Sequence, residues 1–105
     1  MNASAMHTVK VTLPFHLQTL AACGPEVTVD VAAPVTQRRL IAALEQRYPA
    51  ISGAVVDPAS GRRRPLIRFF ACQRDLSHDS PDDELPAAVA EGKECFMIVG
   101  AIAGG

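Results

Sequence analysis

The chain has no excess of positive charge: ten Lys and Arg stand against eleven Asp and Glu, for a formal net charge of -1. Nucleic-acid and anionic-membrane binders carry a pronounced basic surplus, so neither partner is expected. The one dense basic run, Arg62-Arg63-Arg64, reads as a solvated bend. No stretch approaches the roughly 18 apolar residues of a membrane helix. Residues 1–7 also lack the basic-then-apolar layout of a secretory signal. The three cysteines, Cys23, Cys72 and Cys95, form no CxxC pair and leave an odd one out. That argues against a disulfide framework and fits a reducing cytoplasm.

Clustered catalytic or metal-binding chemistry is also sparse. His7, His16 and His78 fall in separate segments, and Asp79, Asp82, Asp83 and Glu84 form a run typical of a solvated loop, so no metal site is expected. Asp82 and Asp83 make a poor acid–base pair, because adjacent loop residues are rarely held in one geometry. Cys72 with His78 lacks a third orienting group, so thiol catalysis is not expected. Cys72 and Cys95 are assigned to the core and Cys23 to an exposed turn.

Alternating segments carry the fold. Val9, Val11 and Leu13 alternate with Lys10 and Thr12, and Val27, Val29 and Val31 alternate with Thr28 and Asp30. This period of two predicts two strands with one buried face each, forming a hairpin whose long loop, His16 to Ala22, is read as a connection. Thr36 is an N-cap candidate for a helix to about Arg47, with Leu40, Ile41, Leu44 and Tyr48 as its packing stripe. Ile51 to Val56 is left as a helical turn or an irregular strand, and Leu66 to Cys72 predicts a third strand. Leu85 to Val89 fits one helical turn. The last strand, Cys95 to Val99, is apolar on both faces and reads as central in the sheet. The predicted class is α+β: a mixed four- to five-stranded sheet with one main helix across it, in the ubiquitin-like β-grasp order. Residues 1–7 are expected to be a flexible extension, with Met6 an alternative start. Residues 8–99 form the domain, and 100–105 a flexible tail.

That tail reads Gly100-Ala101-Ile102-Ala103-Gly104-Gly105. At about 7% glycine usage, a Gly-Gly end occurs in roughly one chain in 200, so its weight comes from its attachment to the last strand. A terminal carboxylate is inert until activated. Adenylation by ATP gives it a leaving group, and a slim tail without Cβ atoms at Gly104 and Gly105 can thread a narrow channel. Gly100, Ala101 and Ala103 extend the slim section, and Ile102 supplies one apolar anchor.

With these residues the chain resembles the ThiS/MoaD-like sulfur carriers. The resemblance rests on Val9-Lys10-Val11-Thr12-Leu13-Pro14, on the helix from Val35 to Tyr48-Pro49, and on Phe69-Phe70-Ala71-Cys72-Gln73-Arg74-Asp75-Leu76. Leu85, Glu91-Gly92-Lys93-Glu94 and the tail from Ile98 complete it. It implies a protein with no catalysis of its own and no bound cofactor. An adenylating, ubiquitin-activating-type enzyme would use ATP on Gly105, and a thiocarboxylate there would pass sulfur to an accepting synthase, molybdopterin-type use being favoured. Gly104 and Gly105 are then the reactive end. Gly100, Ala101, Ile102 and Ala103, with Phe70 and Arg68 on the sheet, form the partner contacts.

Two segments depart from the family pattern: Ile51 to Pro65 and the acidic stretch after Arg74 are both long. Arg62 to Arg64 with Arg68 raise the possibility of docking an acidic partner. Two alternatives stay open: a protein modifier conjugated through Gly105, and a plain interaction domain. Lys10 and Lys93 are the only lysines, which disfavours chains built on the protein itself.

Overall fold

The computed structural model describes residues 6–100. The elements are β1 (Met6–Thr12), α1 (Phe15–Ala21), β2 (Glu26–Ala32), α2 (Gln37–Arg47), a 3₁₀ turn (Pro49–Ile51), β3 (Ile67–Ala71), β4 (Arg74–Asp75), α3 (Ala87–Ala90) and β5 (Phe96–Gly100). The five strands form one mixed sheet in the order β2-β1-β5-β3-β4. Strands β1 and β5 are parallel, and the other neighbours are antiparallel. This is the predicted class, with the last strand at the centre.

Alternation sets the inner face. Val9, Val11, Val27, Val29 and Val31 are buried, and Phe69, Phe96 and Ile98 join them from β3 and β5. The Phe69 and Phe96 rings lie 5.1 Å apart at 45°, a tilted pairing that ties the two central strands together under the sheet. Helix α2 lays Leu40, Ile41 and Leu44 on that face. Its N-cap is Thr36, whose hydroxyl accepts from the Arg39 N–H at 3.2 Å.

Six sequence expectations change. Met6 and His7, assigned to the extension, pair with Ala32 and Val31 in β1, and Gly100, assigned to the tail, pairs with Ile67 in β5. The 16–22 connection is mostly helix: α1 buries Leu17 under the sheet's end, giving a short amphipathic segment a reason to fold. Cys72 is not a core residue. It forms a two-residue β3–β4 turn with Gln73, both at positive φ (53° and 63°), which places it at the core's margin. Cys95 donates to the Glu26 carboxylate at 3.4 Å, and Cys23 is half-buried rather than exposed.

The long acidic stretch is also not a free loop. The Arg38 N–H at the start of α2 donates to the Pro81 carbonyl at 3.0 Å, and Leu85 N–H donates to Val35. The Gln37 side chain, buried, donates to the Leu76 carbonyl at 2.9 Å. The first turn of a helix leaves unpaired N–H groups, and this segment satisfies one of them.

Candidate functional site

Strand β5 lies at the middle of the sheet, flanked by β1 and β3, so the chain leaves the domain from its centre. Its last described residue, Gly100, faces Ile67 across the β3 ladder. A Cβ at Gly100 would come 2.6 Å from His16 Cε1, 3.3 Å from His16 Nδ1 and 3.4 Å from Pro14 Cβ. His16 opens α1, so glycine at 100 is what lets that helix close over the root of the tail. The slimness that sequence reasoning tied to a channel has a local cause at this position.

The outer face of β5 carries the apolar surface. Met97 is 44% exposed and Val99 is 39% exposed. The strand is central, as expected, and apolar on both faces, but its burial alternates, with Phe96 and Ile98 buried and Met97 and Val99 exposed. Met97 is flanked by Phe70 and Thr12, and Val99 by Arg68, so Phe70, Met97, Val99 and Arg68 form one patch. Leu66, just before β3, and Phe15 on α1, 51% and 78% exposed, add apolar surface near the end of β5.

Arg68 does not stand free in this patch. Its guanidinium is paired with the Asp75 carboxylate. Asp75 also accepts from the Ser77 N–H at 2.9 Å. Hydrogen bonding from Ser77 first, and from Arg68 second, holds the Asp75 carboxyl well below the usual carboxylate range. The Cys95 thiol is pushed up by burial and then by the neighbouring Glu26 carboxylate, so it is a poor nucleophile at neutral pH. No group of three or more potential metal ligands occurs among the described residues.

Of the residues singled out from sequence, the structure places Gly100, Arg68 and Phe70 together at the outlet of β5. Gly104, Gly105, Ala101, Ile102 and Ala103 lie outside the described residues. Sequence reasoning missed Met97, Val99, Leu66, Phe15 and His16. The first two carried a signal, since they alternate with Phe96 and Ile98 in a strand that only one helix can cover. Phe15 and His16 carried none, because the helix that presents them is too short to show a period.

No family model and no curated protein matches the sequence. Solved structures do match in shape. A chain of the crystal structure of the Amycolatopsis orientalis BexX/CysO complex is 20% identical with a TM-score of 0.71, covering 92% of this chain and 99% of that one. The crystal structure of SAMP1 from Haloferax volcanii is 19% identical with a TM-score of 0.71, covering 93% and 99%. The solution structure of the small archaeal modifier protein 1 from Methanosarcina acetivorans is 18% identical with a TM-score of 0.70, covering 96% and 99%. Near-complete coverage on both sides, with the sheet order and the crossing helix, establishes that this chain has the ubiquitin-like β-grasp fold.

Proposed function

We propose that this protein is a small sulfur carrier of the ThiS/MoaD type, acting in the cytoplasm as the substrate of partner enzymes rather than as a catalyst. One observation carries the reading: the central strand of a β-grasp sheet leads, through Ala101-Ile102-Ala103, to Gly104-Gly105, beside an apolar patch of exposed Met97 and Val99 with half-buried Phe70. The Gly105 carboxylate attacks the α-phosphate of ATP on an adenylating partner, and pyrophosphate leaves. Hydrosulfide then attacks the acyl carbon, AMP departs with the bonding pair, the S–H proton is lost to solvent, and a thiocarboxylate remains. An accepting synthase takes that sulfur; molybdopterin-type biosynthesis is the favoured use, on the resemblance alone. Gly100 to Ala103, Phe70 and Arg68 serve as the partner contacts. The neighbour found within the BexX/CysO complex supports a β-grasp chain working beside a partner.

A second reading has its own support: two neighbours are small archaeal modifier proteins, and conjugation through Gly105 needs the same activation. Intact mass spectrometry of protein purified from its host distinguishes the two. One oxygen-to-sulfur exchange localised to Gly105 is expected. Adducts on target lysines with no such exchange would overturn the carrier reading in favour of the modifier, and an unmodified mass with normal activity after deletion of Gly105 would overturn both.

A further inference from the structure

The two long segments that depart from the family pattern meet over α2. Residues 56–63 and 77–81 wall a groove of about 600 Å³ beside α2, which lines it with Ile41, Ala42 and Glu45. That volume falls in the range of ligand sites. Its base is apolar, with Ile41, Ala42 and Val56 beside the edge of Phe69.

One wall is basic, and its charge is not neutralised within the domain. Arg63 donates to the carbonyls of Ser77 at 3.0 Å and Ile67 at 2.6 Å, neutral acceptors that fix the guanidinium without cancelling it. The Arg62 side chain makes no ion pair among the described residues. The acids nearby are mostly occupied: Asp82 is held by Arg38 at 2.7 Å and Asp79 lies 3.8 Å from Arg74. Glu45, on the helix side, is the lining carboxylate without a cation partner among the described residues.

The bonds that Arg63 and Arg64 make also account for the run itself. Arg63 ties the 51–65 segment to the domain, while Arg64 donates to the Gly53 carbonyl at 2.9 Å and closes that segment on itself. Arg62 makes no side-chain hydrogen bond or ion pair among the described residues, and Arg63 keeps its uncancelled charge beside it.

We propose that this groove docks a short peptide segment of a partner protein, one apolar side chain entering over Val56 and Ile41 while an adjacent Asp or Glu meets Arg62 and Arg63. The groove lies on the helix side of the sheet, with Phe69 at its base, whereas the patch around the tail contains Phe70, the next residue on the opposite face. Both surfaces can therefore be occupied at once. This inference does not depend on the chemistry of Gly105.

The test is an NMR titration of the full-length ¹⁵N-labelled chain with a pool of blocked pentapeptides, each an apolar residue flanked by Asp or Glu. A matched pool with Asn and Gln, and AMP alone, serve as comparators. Saturable shifts at the amides of Ile41, Ala42, Val56, Arg62 and His78 are expected. The neutral pool should bind about two- to fivefold more weakly, the range of an exposed ion pair. Arg62→Gln should match that loss, and Ala42→Glu, on the exposed face of α2, should abolish the shifts with the thermal midpoint unchanged. Equal binding of both pools, shifts confined to the Phe70 and Met97 face, or saturation by AMP but not by peptides would each overturn the proposal.

Discussion

The two faces of β5 are built from the same kinds of residue and have opposite fates. Phe96 and Ile98 point under α2 and are almost wholly buried, while Met97 and Val99 point outward and stay substantially exposed. Composition does not separate them, because all four are apolar. What separates them is the parity of the strand together with the presence of a single covering layer. The apolar strand face left bare is the surface on which the proposed partner contact rests, whereas the same kinds of residue one position along are core.

Substitution should break this symmetry sharply. Phe96→Ala removes a ring from the middle of the core and should cost about 3–5 kcal/mol, read as a lower denaturation midpoint in urea. Met97→Ser, one residue away, should change stability by less than about 0.5 kcal/mol. Its effect should appear in binding: about a tenfold weaker affinity for the adenylating partner, measured by calorimetry, as expected for a contact worth more than about 1 kcal/mol. Equal affinity would remove the outer face from the proposed partner site.

The end of the strand offers a finer comparison. Gly100→Ala should force His16 aside, at about 0.5–1.5 kcal/mol, the range for a side chain pushed off its rotamer. Adding His16→Ala in the same chain should recover most of that loss, a coupling read from a double-mutant cycle. No recovery would show that the glycine is needed for some other reason.

The smallest effect concerns pH. The Asp75 carboxyl titrates below its ordinary value of 3.8 in the folded protein. Its contribution is therefore complete above that value and is lost as pH falls below it toward the depressed folded one. Asp75→Asn should slightly lower the thermal midpoint at neutral pH and flatten its decline in acid. An unchanged acid limb would show that the Ser77 and Arg68 contacts do not bias the titration.

Much of the scaffold was legible because it follows local periodicity. The valines of β1 and β2, the Thr36 cap and the Leu40, Ile41 and Leu44 stripe each specify their element within a few residues, so reading them needed no long-range information. The Gly-Gly segment was equally plain. Phe70 and Arg68 were named from sequence, while Met97 and Val99, beside them on the outer face, were read only as part of an apolar central strand. A run of apolar residues reports strand position but not the number of layers above it.

The long segments are solvated, as composition suggests, but they also carry contacts that composition does not report. The acidic stretch looks solvated, yet it stitches itself to the start of α2 through Pro81, Leu76 and Leu85, and the arginine run looks like a solvated bend while Arg63 and Arg64 hold backbone carbonyls. Hydrogen bonds to distant main-chain groups leave no mark in sequence, because any carbonyl can accept them.

By itself, the sequence determined the strands, the main helix and the central place of the last strand, since each rests on the spacing of apolar residues. Tertiary structure alone decided which face of β5 stays bare, why residue 100 is glycine and that two loops enclose a groove with an arginine wall. Those features depend on which segments pack against one another, and packing between residues far apart in the chain is a property of the folded sheet and helix rather than of any local pattern.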